Sequence, residues 1–129
     1  NRFIVVTDGD NDKVALFPIN TVYYQEFTEL PEGEPNICRV YPTGNSGFAC
    51  KEPYWKIVED AKNLGWKYIE LEDADKGTRL AVNLSNCQLF TDSVYKDNCT
   101  MIFNTDKHAF HVKGDAAEVS RKWQALFKK

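Results

Sequence analysis

The segment Phe3-Ile4-Val5-Val6-Thr7-Asp8-Gly9-Asp10 has a counterpart 65 positions later in Tyr68-Ile69-Glu70-Leu71-Glu72-Asp73-Ala74-Asp75. In both, an alternating stretch runs into an acidic turn, the signature of a half-buried strand entering a hairpin. The same offset pairs Phe17 with Val82 and Ile19 with Leu84. An offset of 62 then pairs Val40 with Ile102, Phe48 with Phe110, Lys51 with Lys113, Ile57 with Val119 and Leu64 with Leu126. The change of offset falls between Glu29 and Asn36, a stretch with two prolines and a glycine, where a three-residue deletion in a loop is tolerated. This correspondence predicts an internal duplication, with residues 1–65 as the first repeat and residues 66–129 as the second.

Each repeat reads as five short strands and a helix. The alternation predicts strands near 2–7, 14–18, 21–27, 37–42 and 47–51, then near 66–72, 79–83, 86–91, 99–104 and 108–113. Asp8 to Asp12 and Asp73 to Gly77 form the first turns, and Thr43 to Gly47 and Thr105 to Lys107 the second. Helices follow from Tyr54 to Leu64, with Tyr54, Ile57, Val58 and Ala61 on one face, and from Ala116 to Phe127, with Ala116, Val119, Trp123, Leu126 and Phe127 on one side. Pro53 fits the first helical position and Gly65 the stop of the first helix. Asp115 and Glu118 open the second in the manner of a capping box. Consecutive hairpins imply antiparallel pairing, so the expected class is α+β: two tandem antiparallel β-rich repeats packed with pseudo-twofold symmetry in one compact unit. Trp55, Trp66 and Trp123 are expected to wedge between helix and sheet.

Composition places the chain among ordinary globular domains, with 129 residues, 43% hydrophobic and 27% charged. A core of that size forms without disulfides or metals. The formal charge of -3 and a pI near 5.4 disfavour a nonspecific polyanion binder. No apolar run approaches the roughly 20 residues of a membrane span, and no signal-peptide core precedes Thr7, so the expectation is a soluble, cytoplasmic protein with no membrane partner. Cys38, Cys50, Cys87 and Cys99 lack zinc-finger spacing and read as free thiols.

The succession Leu80-Ala81-Val82-Asn83-Leu84-Ser85-Asn86-Cys87, Cys99-Thr100-Met101-Ile102-Phe103 and Phe110-His111-Val112-Lys113, closed by a helix from Asp115, resembles the short FlbD family of flagellar operons. Read from Tyr54, a helix followed by antiparallel strands with a long bent strand among them is similar to the Sm-like fold, including Sm-like proteins of phage origin that form rings and bind RNA. The resemblance implies a small-barrel or Sm-like architecture for each repeat.

Few residues carry chemistry. Asp8, Asp10 and Asp12 alternate as calcium ligands do, but Lys13 and Ile19 stand where an EF-hand needs glycine and glutamate, so an acidic turn is the reading. His108 and His111 point to opposite faces of one strand, and Cys99 could approach one of them without the third group that nucleophilic catalysis requires. No catalytic residue, metal site or cofactor is expected. Tyr23 and Tyr24 face opposite sides of their strand, which predicts that one of them is exposed. Arg39 and Tyr41 share a face of the next strand and could join that tyrosine in an aromatic and guanidinium platform, a surface that binds proteins or stacks bases. The favoured function is a non-enzymatic module that binds a protein partner, or itself, through strand edges and aromatics. The alternatives are a nucleic-acid-binding accessory protein contacting its ligand through Arg39, Tyr41, Lys51, Lys107 and Lys113, and a small-ligand binder or small enzyme at the seam between repeats.

Overall fold

The computed structural model describes residues 3–18, 21–26, 38–43, 47–103 and 109–128. Among them ten strands and two α-helices follow one another as β1 (Ile4–Thr7), β2 (Lys13–Leu16), β3 (Thr21–Glu26), β4 (Cys38–Pro42), β5 (Phe48–Cys50) and α1 (Tyr54–Asn63), then β6 (Ile69–Glu72), β7 (Arg79–Val82), β8 (Leu89–Asp92), β9 (Cys99–Phe103), β10 (Ala109–Lys113) and α2 (Ala116–Ala125). Every ladder is antiparallel and the fold is α+β, as the hairpin spacing requires.

Three sheets form: β1-β2, β10-β9-β8, and a five-stranded sheet in the order β5-β4-β3-β7-β6. Isolated bridges tie their ends together, Asp8 to Cys50 and Asp73 to Val112. Among the described residues no sheet closes into a barrel. The β3–β7 ladder crosses the boundary between residues 65 and 66, pairing Tyr23 with Val82, Tyr24 with Ala81 and Gln25 with Leu80.

That ladder lies between two cores. On one face Tyr24 and Ala81 pack with Ile4, Val6, Leu16, Val40 and the inner side of α1, namely Tyr54, Ile57 and Ala61. On the other face Tyr23, Leu80 and Val82 pack with Ile69, Leu71, Ile102, Val112 and Val119 of α2. α1 turns its predicted face inward, and in α2 Val119, Trp123 and Leu126 do the same, whereas Phe127, expected beside them, lies past the end of the helix and is 57% exposed. Pro53 is the cap of α1 itself, with extended backbone, one position before the place expected for it. Gly65 takes a φ of 78°, and Trp66 donates to the carbonyl of Ala61, closing the helix as glycine after a last turn does. The Asp115 side chain accepts the N–H of Glu118 at 2.9 Å and starts α2.

Two expectations fail. Trp55 is 62% exposed: it lies one position from Tyr54, about 100° around the helix, and points to solvent while Trp66 and Trp123 pack against the cores. The offset is also not constant through the first hairpin. The turn between β6 and β7 is one residue longer than that between β1 and β2, so Leu16 and Val82 occupy matching rungs, opposite Ile4 and Ile69. Residues on those rungs therefore stand 66 positions apart and not 65, and a one-residue slip in either hairpin would turn its side chains to the opposite face.

The two helix anchors set a stability contrast. Ile57→Ala and Val119→Ala each remove a fully buried side chain and lower unfolding free energy by about 1 to 4 kcal/mol, whereas Trp55→Ala changes it by less than about 0.5 kcal/mol. Urea denaturation followed by circular dichroism measures all three.

Candidate functional site

β3 and β4 bring together most of the residues singled out from sequence. Tyr23 lies directly opposite Tyr41, their rings stacked at 4.1 Å with an 11° angle between planes. The Arg39 guanidinium sits 5.6 Å from the Tyr41 ring centre, a cation-π distance, and donates to the carbonyl of Gly47 at 3.3 Å. Gly47 has a φ of 93°, and a side chain there would run into the Tyr41 ring at 2.7 Å, so the glycine is what lets the turn lie on the ring.

The platform is filled from within. Tyr23 and Tyr24 are each 3% exposed, which corrects the expectation that one of them faces solvent. The reason is the pairing of β3 with β7: a strand inside a sheet with a core on either face has no outer side. The second face of Tyr23 is taken by Phe110, with ring centres 4.2 Å apart. Beside this stack Gln25 is buried, its amide donating to Thr78 at 3.0 Å and Asp73 at 3.2 Å while its oxygen accepts from the Tyr41 hydroxyl at 3.3 Å. Sequence reasoning missed Gln25 because its partners lie 48 and 53 residues away.

The basic residues do not form a common patch. Lys51 bonds Asn11, and Lys113 pairs with Glu72. Lys107 lies outside the described residues. Arg79, not singled out from sequence, grips Glu26 in a two-pronged pair at 2.8 and 2.9 Å and lies 5.2 Å from the Tyr54 ring centre. The Arg79 hydrogen bonds hold the Glu26 carboxyl below its ordinary value.

Both acidic turns use their leading carboxylate on their own backbone: Asp8 Oδ1 accepts the N–H groups of Asp10 and Asp12 at 2.9 and 3.0 Å, and Asp73 Oδ1 that of Asp75 at 2.8 Å. Among the described residues no three His, Cys, Asp or Glu side chains gather as metal ligands do. Cys99 lies opposite Lys113, two rungs along from His111, and His108 is outside the described residues. The four thiols are unbridged. Cys38 and Cys50 face each other across β4 and β5, fully buried, and burial pushes the Cys87 thiol up to about 12. A cleft of about 470 Å³ follows the linker, lined by residues that include Pro18, Trp66, Lys67, Asn83 and Asn86. Asn86 bonds the carbonyls of Pro18 at 2.6 Å and Thr21 at 2.7 Å across the cleft wall, joining the two halves of the chain.

A group of apolar side chains faces solvent on the first hairpin. Its inner residues Ile4, Val6 and Leu16 enter the core, while Phe3 (42%), Val5 (49%) and Phe17 (40%) stay exposed, with the Phe3 and Phe17 rings 5.5 Å apart and Val5 paired with an exposed Ala15. Leu89 on β8 is 49% exposed, and Val94 and Tyr95 follow on the loop after it. Among the described residues β2 bonds only β1, and β8 only β9, so each has an unpaired edge. Comparison with family models, curated proteins and solved structures finds no match for this chain.

Two measurements test this region. Gln25→Ala removes a buried amide that bonds Thr78, Asp73 and Tyr41 and costs about 1 to 3 kcal/mol in urea unfolding. Burial raises the phenols of Tyr23, Tyr24 and Tyr54 above their ordinary value. Stability from this source is complete below the unfolded value of about pH 10 and is lost as pH rises beyond it. Absorbance at 295 nm against pH therefore shows these phenols ionising together with the loss of circular dichroism; titration ahead of unfolding contradicts their placement.

Proposed function

We propose that this chain is a non-enzymatic interaction module that binds a protein through unpaired strand edges and the apolar side chains beside them. The observation that carries the reading is the outer face of the β1–β2 hairpin, where Phe3, Val5, Ala15 and Phe17 lie together in solvent. Scattered apolar residues are ordinary on a surface, whereas a contiguous set next to an open strand edge is what β-strand addition uses. The tyrosine and arginine platform carries little of this function, because its rings are spent on one another. The basic residues described near it are engaged by acceptors of the chain itself, which gives nucleic acid little to hold.

A duplicated origin belongs to the same proposal. Five features recur at matching rungs: the first hairpin, the β3–β4 and β4–β5 ladders as β8–β9 and β9–β10, the two isolated bridges, and the helices at an offset of 62. A unit copied once provides two sets of strand edges, and an interaction module uses whichever set the fold leaves unpaired.

Panning a displayed library of extended peptides tests the function. Enrichment of sequences with alternating apolar residues, at least tenfold weaker against Val5→Lys/Phe17→Lys, is the expected result. No enrichment overturns the reading. Binding of short RNA or DNA with a negative slope of log affinity against log salt replaces it with the nucleic-acid alternative.

A further inference from the structure

The β3–β7 ladder is the one described ladder that joins the two halves, and it pairs Tyr23 with Val82, Tyr24 with Ala81 and Gln25 with Leu80. At its end Glu26 meets Arg79 in the two-pronged ion pair. The internal registers define the counterpart of each residue. Since Tyr24 pairs Val40 as Phe90 pairs Ile102, β8 matches β3, and since Leu16 pairs Ile4 as Val82 pairs Ile69, β2 matches β7. Carried over, the ladder sets Leu89 opposite Leu16, Phe90 opposite Ala15, Thr91 opposite Val14 and Asp92 opposite Lys13.

These pairs suit one another. Asp92 and Lys13 carry opposite charges in the place of Glu26 and Arg79, and within the chain the Lys13 ammonium donates only to a neutral group, the Thr7 hydroxyl at 2.8 Å, among the described residues. Leu89, left half exposed, gains an apolar rung partner in Leu16, and Ala15 leaves room for the Phe90 ring. Among the described residues β2 and β8 both have an open edge where this pairing would form, and they do not bond each other. A second copy can satisfy both edges at once: β8 of each chain adds to β2 of the other, an arrangement that a twofold axis closes and that does not continue into a filament.

We propose that this protein forms a twofold dimer by reciprocal pairing of β8 with β2 of a second copy, in the register Leu89–Leu16 and Asp92–Lys13. The proposal rests on the interaction-module reading and names its partner. Phe3 and Phe17, which flank β2 on the exposed side of the hairpin, fall at the margin of the joint.

The experiment uses the full chain. Light scattering after size exclusion at about 100 µM is expected to give twice the 14.8 kDa chain mass. Lys13→Asp raises the dissociation constant at least tenfold, and Lys13→Asp/Asp92→Lys recovers most of the loss, a rescue that misfolding of the single variant would not give. Because Asp92 Oδ1 also accepts the N–H of Ala116 at the start of α2, each variant that replaces Asp92 has its urea unfolding midpoint measured beside its dissociation constant, and rescue is read only from variants that stay folded. Lys13→Cys/Asp92→Cys, oxidised, yields a disulfide-linked dimer on a non-reducing gel above the background of the wild-type thiols. A monomer at every concentration overturns the dimer, as does a 13–92 disulfide formed within one chain. If peptide panning still enriches alternating sequences against such a monomer, the dimer alone is lost; if panning also fails, the interaction module goes with it.

Discussion

The fold depends on the pairing of β3 with β7. The two strands come from opposite halves of the chain, and their side chains alternate between two cores, Tyr24 and Ala81 into one and Tyr23, Leu80 and Val82 into the other. A five-strand unit with a single helix buries little apolar surface by itself. Sharing a two-faced ladder gives each unit a wall it cannot make alone, and at about 25 cal/mol per Å² the burial of two tyrosine rings there is a large contribution. The Glu26–Arg79 pair at the exposed end of the ladder adds register more than stability, since it is open to solvent.

The same pairing explains why the aromatic cluster is not an open binding surface. Tyr23, Tyr41 and Phe110 stack along the side of the ladder, with Gln25 tying Tyr41 to Asp73 and Thr78. A glutamine buried in this way is tolerated because both ends of its amide are bonded. Exposure moves instead to the strands that the ladder does not use, β2 and β8, and to the outer side of the first hairpin. Where the halves meet, β3 and β7 close on each other, while among the described residues the outer edges of β2 and β8 have no partner strand.

Much of the local structure was legible in the residues. Alternation in Ile4 to Thr7 and Ile69 to Glu72, glycine at 65, and aspartate at 115 placed strands, a helix stop and a helix start close to where they form. These signals are local: side-chain period, a left-handed backbone that glycine adopts freely, and a carboxylate accepting a free N–H. Trp55 was misread because its neighbours on the helix are apolar and its own direction depends on one step of rotation. The hairpin offset was misread because similar apolar residues flank the turn on both sides, so the extra residue leaves no mark in the pattern. The Gln25 bonds and the Arg79–Glu26 pair had no signal at all, being contacts between residues about 50 apart with no periodic relation.

The α+β class, the order of strands and helices, and most of the inward helix faces can be read along the chain, because each follows from hydrogen-bond geometry and apolar spacing within a few residues. Which edges are shared and which are left unpaired among the described residues is settled by packing. Several strands here have comparable apolar content, and the choice of β7 as neighbour to β3 depends on how both cores fill at once. That is a property of packing in three dimensions, which alternation along a single strand does not encode.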